Sequence, residues 1–123
     1  MSKTAIITLI VILLVLGSAV ALAMAPAKPG KLDAFAQCLK EKEAIFYGAF
    51  WCPHCHEQKA LFGRSAKYLP YTECSTPDSK GQTQVCTDAG VKSYPTWKFP
   101  NEDLVVGVKT LEELAGKTGC VLP

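Results

Sequence analysis

Residues 4–25 contain no charged side chain. Most positions in that gap are Ile, Leu, Val or Ala, and roughly 20 apolar residues suffice to cross a bilayer. A buried core helix is excluded, because the run is too long and stands at the N-terminal end. A basic cluster is also lacking. The 13 Lys/Arg nearly balance the 11 Asp/Glu, and all of them except Lys3 lie after residue 25. Without a basic face, nucleic acid is not expected as a partner. The chain has no internal repeat and no low-complexity tract, which excludes solenoids and disordered linkers as its main content. Methionine is scarce too, with only Met1 and Met24.

The apolar segment has two readings. Lys3 supplies a minimal basic flank, and Ala19-Val20-Ala21, Ala21-Leu22-Ala23 and Ala23-Met24-Ala25 each fit a small-residue cleavage site. Its length favours a retained anchor over a cleaved signal peptide. Either way, the residues that follow are expected outside the cytoplasm, on the periplasmic or extracellular side. Six cysteines, all after that segment, agree with an oxidising compartment. Three parts are expected: an anchor or signal over 1–25, a linker over 26–30 rich in Pro and Gly, and one domain over 31–123.

Within that domain, Leu32, Phe35, Ala36 and Leu39 recur at helical spacing and predict a helix over 31–42. The aromatic-rich run 44–50 reads as a buried strand. Pro53 fits the first turn of a helix that runs to about Tyr68 and stops before Pro70. A short strand over 71–74, a loop over 75–81 and a helix over 82–89 closing at Gly90 follow. Strands over 96–99 and 104–108 flank a turn at 100–103. Thr110-Leu111-Glu112-Glu113 is a capping-box sequence, so a last helix covers 110–118 and ends at Gly119. The order α-β-α-β-α-β-β-α predicts an α/β fold with a central mixed sheet flanked by helices on both faces.

The chemistry lies in Cys52-Pro53-His54-Cys55. A thiol at a helix N-terminus meets aligned amide dipoles that favour its anion. Cys52 is therefore the expected nucleophile and the more exposed thiol. Cys55, one turn on, is the expected resolving thiol. His54 is adjacent and is expected to hydrogen-bond or pair with the thiolate, which would make the disulfide a better oxidant. Three competing uses of the motif remain open beside a plain structural bridge. Cys52-x-x-Cys55-His56 also fits c-type haem attachment, but the two methionines offer no second axial ligand in the domain. Zinc on Cys52, Cys55 and a histidine lacks a second CxxC knuckle. A redox-inactive interaction module would leave an intact CxxC without a use. No cofactor and no metal are expected.

The whole of 31–120 resembles the thioredoxin superfamily. Phe50-Trp51-Cys52-Pro53-His54-Cys55 is similar to the active-site turn, and Tyr94-Pro95-Thr96 to the cis-proline segment that faces it. The resemblance implies a thioredoxin-like fold and a cis Pro95 that exposes the Tyr94 backbone to a substrate strand and keeps metal ligands away. Trp51, Tyr94 and Thr96 become the expected substrate-binding residues, with Phe50 and Trp97 as further apolar surface or simply packed. A closer likeness is to the thioredoxin-like domain that accompanies vitamin K epoxide reductase homologues, with a DsbA-like CPHC site. It rests on residues 46–59, on Leu61-Phe62-Gly63, on Cys74 and Cys86, and on Ser93-Tyr94-Pro95-Thr96-Trp97. It implies protein thiol and disulfide substrates and a quinone-linked membrane oxidoreductase as redox partner, expected on a separate chain. The chain departs from thioredoxin and DsbA at one position. Phe46 stands where both carry a buried acid, so Glu57, His54 or water has to handle the proton.

With Cys52 and Cys55 set aside, three pairings of the other cysteines are open. Cys74–Cys86 with Cys38–Cys120 is the favoured set, as structural bridges. A relay role for Cys74–Cys86 is the alternative. The expected activity is thiol–disulfide oxidoreduction, with disulfide donation preferred over tethered reduction or isomerisation.

Overall fold

The computed structural model describes residues 1–123. Helix α1 (Lys3–Ala23) carries no charge after Lys3, with an 18-residue stretch of mean hydropathy 3.0 and no buried residue. At 1.5 Å per residue its 21 residues measure about 31 Å, close to the hydrocarbon thickness of a bilayer. Helix α2 (Asp33–Glu41) turns Phe35, Ala36 and Leu39 inward, the stripe that its spacing predicts.

Strand β1 (Ile45–Gly48) runs parallel to β2 (Tyr71–Glu73) and antiparallel to β3 (Thr96–Lys98), and β3 pairs antiparallel with β4 (Val105–Val106). The sheet order is β2-β1-β3-β4. β1 is central because Phe46 and Tyr47 are both buried, so each face of the strand needs cover. On the Phe46 face lie Phe35 and Leu39 of α2, Leu114 of α5 (Leu111–Thr118) and the thiol of Cys55. Phe46 stacks on Trp97 at 5.0 Å, and Trp97 on Phe99 at 5.9 Å. On the Tyr47 face lie Cys74, Cys86 and Val91, next to α4 (Gln84–Asp88). This is the thioredoxin-like arrangement of a mixed sheet between helices.

Two bridges tie the periphery to this core. Cys38 of α2 is bonded to Cys120 after α5, and Cys74 after β2 to Cys86 of α4. Thr110 caps α5 with a complete capping box, and Gly119 closes the helix at φ +71°.

Three expected elements differ. The helix expected from Pro53 to Tyr68 is broken. Helix α3 covers only Pro53–Ala60, and a 3₁₀ segment covers Gly63–Tyr68. Gly63 sits at φ +52°, which an α-helix cannot accommodate. The break places buried Ser65 so that its hydroxyl accepts the Leu32 N–H at 2.9 Å, anchoring the chain where it enters α2. The helix expected over 82–89 is shorter because Gln82 bridges to Ser75 and donates to the Val91 carbonyl and the Tyr94 hydroxyl. The strand expected over 104–108 shrinks to Val105–Val106, since Gly107 turns away at φ +99°.

Candidate active site

β1 ends at Gly48, and the chain crosses Ala49-Phe50-Trp51 to Cys52, the N-cap of α3. Pro53 occupies the first helical position, where a missing N–H leaves nothing unpaired. Cys52 and Cys55 are the two cysteines outside the bridges. Both are buried, Cys52 at 5% exposure and Cys55 at 1%, so Cys52 is the more exposed of the two by a small margin. The Cys52 thiol donates to the Tyr94 carbonyl at 3.6 Å. Tyr94-Pro95 is a cis peptide and lies across the sheet from β1. Cys52, Cys55, Tyr94 and Pro95 thus meet at one end of the sheet, although β3 is far from α3 in sequence.

Burial pushes the Cys55 thiol up to about 12, helped by its hydrogen bond with Cys52, against the pull of a backbone N–H and of Lys59. Cys55 therefore holds its proton at neutral pH.

The other expected residues fall into two groups. Trp51 and Phe50 are about half exposed beside the thiols. Trp51 donates its indole N–H to Ser75 at 2.8 Å and meets Tyr94 edge-on at 6.0 Å. Thr96 does not face this surface. It is 1% exposed, its hydroxyl donates to the Ser93 carbonyl at 2.7 Å, and its backbone sits in the sheet. Trp97 is fully buried and packs in the core, with its N–H on Gln58.

The histidines are also engaged elsewhere. His54 Nδ1 pairs with Glu57 at 3.0 Å, with both side chains mostly in solvent. The expected His54–thiolate bond is replaced by this pair, because Glu57 lies one turn along the same exposed face. His56 Nε2 bonds the Phe50 carbonyl at 2.6 Å. No three of His, Cys, Asp and Glu converge as a metal-binding group.

Four residues around the dithiol escape the sequence reading. Gly48 is one: a Cβ there would lie 2.8 Å from the Tyr71 ring and 3.0 Å from Cys55 Sγ. Glu73 accepts from Tyr71 OH at 2.8 Å and from the backbone N–H groups of Phe50 (3.2 Å) and Ser75 (2.8 Å). It thereby pins the turn that carries Cys52. Tyr71 is held well above the usual phenol range, by burial first and by Glu73 second. Gln58, fully buried one turn after Cys55, accepts from Trp97 Nε1 (3.0 Å) and Lys109 N (2.7 Å) and donates to Lys109 O (3.0 Å). Alternation along β2 places Tyr71 and Glu73 on one face. That signal is visible in sequence once β2 is known to lie beside β1.

No family model matches this sequence. A search of curated proteins finds similarity to the thiol-disulfide oxidoreductase LTO1 of Arabidopsis thaliana, with 44% identity over 90 residues. The match takes in 70% of this chain, which spans about a quarter (24%) of that protein's length.

Proposed function

We propose that this protein is a thiol–disulfide oxidoreductase that exchanges disulfides with protein substrates through Cys52 and Cys55. The observation that carries this reading is the pair of thiols left free at the head of α3 while the other four cysteines are bridged. The similarity to a relative named for this activity supports it.

The chemistry divides between the two thiols. Cys55 keeps its proton, so Cys52 is the sulfur that attacks a substrate disulfide or is attacked by a substrate thiolate. Tyr94 offers its backbone next to Cys52, and Trp51 with Phe50 gives an apolar floor for a substrate segment. Cys55 then closes on Cys52 and releases the substrate.

The domain works outside the cytoplasm, tethered by α1. The length and apolarity of α1 and the two bridges support this. In its main direction the protein donates disulfides and is reoxidised by a quinone-linked membrane oxidoreductase of the vitamin K epoxide reductase kind. The Pro53-His54 pair and the family resemblance favour that direction. A second reading, tethered reduction, is favoured by the His54–Glu57 pair, which leaves the thiolate without its histidine partner.

The test is oxidative refolding of a reduced, disulfide-containing protein by the full chain in detergent micelles. The oxidised chain should speed disulfide formation, and Cys52→Ser should abolish the effect. Equal activity of Cys52→Ser and wild type would reject the assignment.

A further inference from the structure

We propose that Lys59 is the positioning residue for the thiolate form of Cys55, supplying the charge that lets a buried sulfur act. The inference rests on the reading of Cys52 and Cys55 as an exchanging dithiol and adds the group that serves its second step.

Cys55 has to ionise whenever the exchange passes through a mixed disulfide. In that species Cys52 Sγ is bonded to a substrate sulfur. Cys55 gives its proton to water, and its thiolate attacks Cys52 Sγ. The Cys52–Cys55 bond forms, the Cys52–substrate bond breaks, and the substrate leaves as a thiolate that takes a proton from solvent. The dithiol has lost two electrons to the substrate disulfide. In disulfide donation the same steps run backwards, with Cys55 leaving as thiolate and then taking up a proton.

The surroundings of Cys55 oppose that anion. Its thiol is 1% exposed, and Phe46, fully buried in the same cluster, brings no group that could relay the proton. Strand β1 contributes Phe46 and Gly48, neither of which titrates. The groups that do titrate nearby are Cys52 and Lys59 on α3 itself and Tyr71 on β2, with Glu73 behind it. Lys59 is the one cation in this set.

Its placement is fixed from two sides. Lys59 lies one turn beyond Cys55 on α3, so both side chains project from one face of the helix. Its Nζ rests 3.6 Å from the centroid of the Tyr71 ring. The edge of that ring and Cys55 Sγ converge on the space left by the absent Gly48 side chain, at 2.8 Å and 3.0 Å. The ring is held by its hydroxyl on Glu73, whose other oxygen holds the active-site turn. Lys59 is also free of any carboxylate. The two ion pairs of the protein are His54–Glu57 and Lys117–Glu102. An ammonium without an anion, clamped over an aromatic wall of the thiol site, is suited to meet an anion that exists only during the reaction. In a water-poor site such a charge acts more strongly than it would in solvent.

The test measures the thiolate directly. In the full chain with Cys52→Ser, iodoacetamide alkylation of Cys55 is followed at fixed mildly alkaline pH, where the rate reports the thiolate fraction. Lys59→Met, which keeps the apolar stem, should slow alkylation about tenfold, equivalent to a rise of one pH unit in the midpoint. Lys59→Gln should follow Met, and Lys59→Arg should stay near the wild-type rate. All four should react equally in urea. Equal native rates for Met and wild type, or an Arg variant as slow as Met, would overturn the role of Lys59. Lys59→Gln decides the same point if Met does not fold. Substrate exchange by the otherwise wild-type chain is assayed separately. Its absence would reject the dithiol reading and the step that Lys59 serves, whereas intact exchange with unaltered alkylation would reject Lys59 alone.

Discussion

Replacing Gly48 by Ala tests the closest approach in the site. Gly48 has an ordinary extended backbone within β1, so the effect is one of space and not of φ. The new methyl would lie 2.8 Å from a Tyr71 ring carbon and 3.0 Å from Cys55 Sγ, whereas non-bonded carbons prefer about 3.5–4.0 Å. The ring cannot swing aside cheaply. Its hydroxyl is held by Glu73 at 2.8 Å, its face by Lys59, and Phe46 packs against it at 5.1 Å. Over-packing of this kind costs about 1–3 kcal/mol. Against it stands a gain of about 0.5–1 kcal/mol from stiffening the unfolded chain. The expected net loss is about 1 kcal/mol, read as a lower urea midpoint of the reduced chain followed by tryptophan fluorescence. Adding Tyr71→Leu removes the ring edge and should recover most of the loss that Gly48→Ala causes in that background. An alanine variant as stable as wild type would refute the convergence of Tyr71 and Cys55 at this point.

The other predictions concern the frame and the resolving thiol. Removing Cys38–Cys120, which spans 82 residues, should cost about 4.5 kcal/mol by loop entropy, against about 3 kcal/mol for Cys74–Cys86, which spans 12; paired Cys→Ala variants compared by urea unfolding should keep that order. Gln58→Leu leaves the Trp97 N–H and both Lys109 backbone groups without partners and should lower stability by about 3 kcal/mol in the same assay. Stability of the reduced chain should also fall with alkaline pH. The Cys55 thiol ionises near 9.0 when unfolded but near 12 when folded, so its contribution is whole below pH 9 and is lost as pH rises toward 12. Cys55→Ser should remove that part of the slope, and an unchanged slope would count against the buried thiol.

The local signals in the sequence correspond to what they specify. The stripe Phe35, Ala36 and Leu39 is buried, Thr110 and Glu113 form the capping box, and Gly119 ends α5. Each depends on neighbours within a turn or two, where spacing alone is informative. Legibility fails where a distant residue decides. The chain leaves the α-helix before Gly63 so that Ser65 can reach Leu32, a partner 33 residues earlier. Thr96 reads as part of a substrate-facing segment, yet the sheet claims it on both sides. His54 reads as a neighbour of the thiolate, but helical geometry gives it to Glu57. The Lys59, Tyr71 and Glu73 group is invisible until β2 is laid beside β1, because no single motif contains it.

We propose that Cys52 and Cys55 form one reversible two-electron couple, poised to donate disulfides. The most direct measurement is the reduction potential of the full chain in detergent, equilibrated with glutathione buffers and followed by the fluorescence of Trp51 beside the dithiol. A disulfide donor should show a single two-electron transition that vanishes in Cys52→Ser, at a potential nearer the roughly −120 mV of DsbA than the roughly −270 mV of thioredoxin. A potential near the thioredoxin value would contradict donation, and no transition at all would contradict the dithiol chemistry itself.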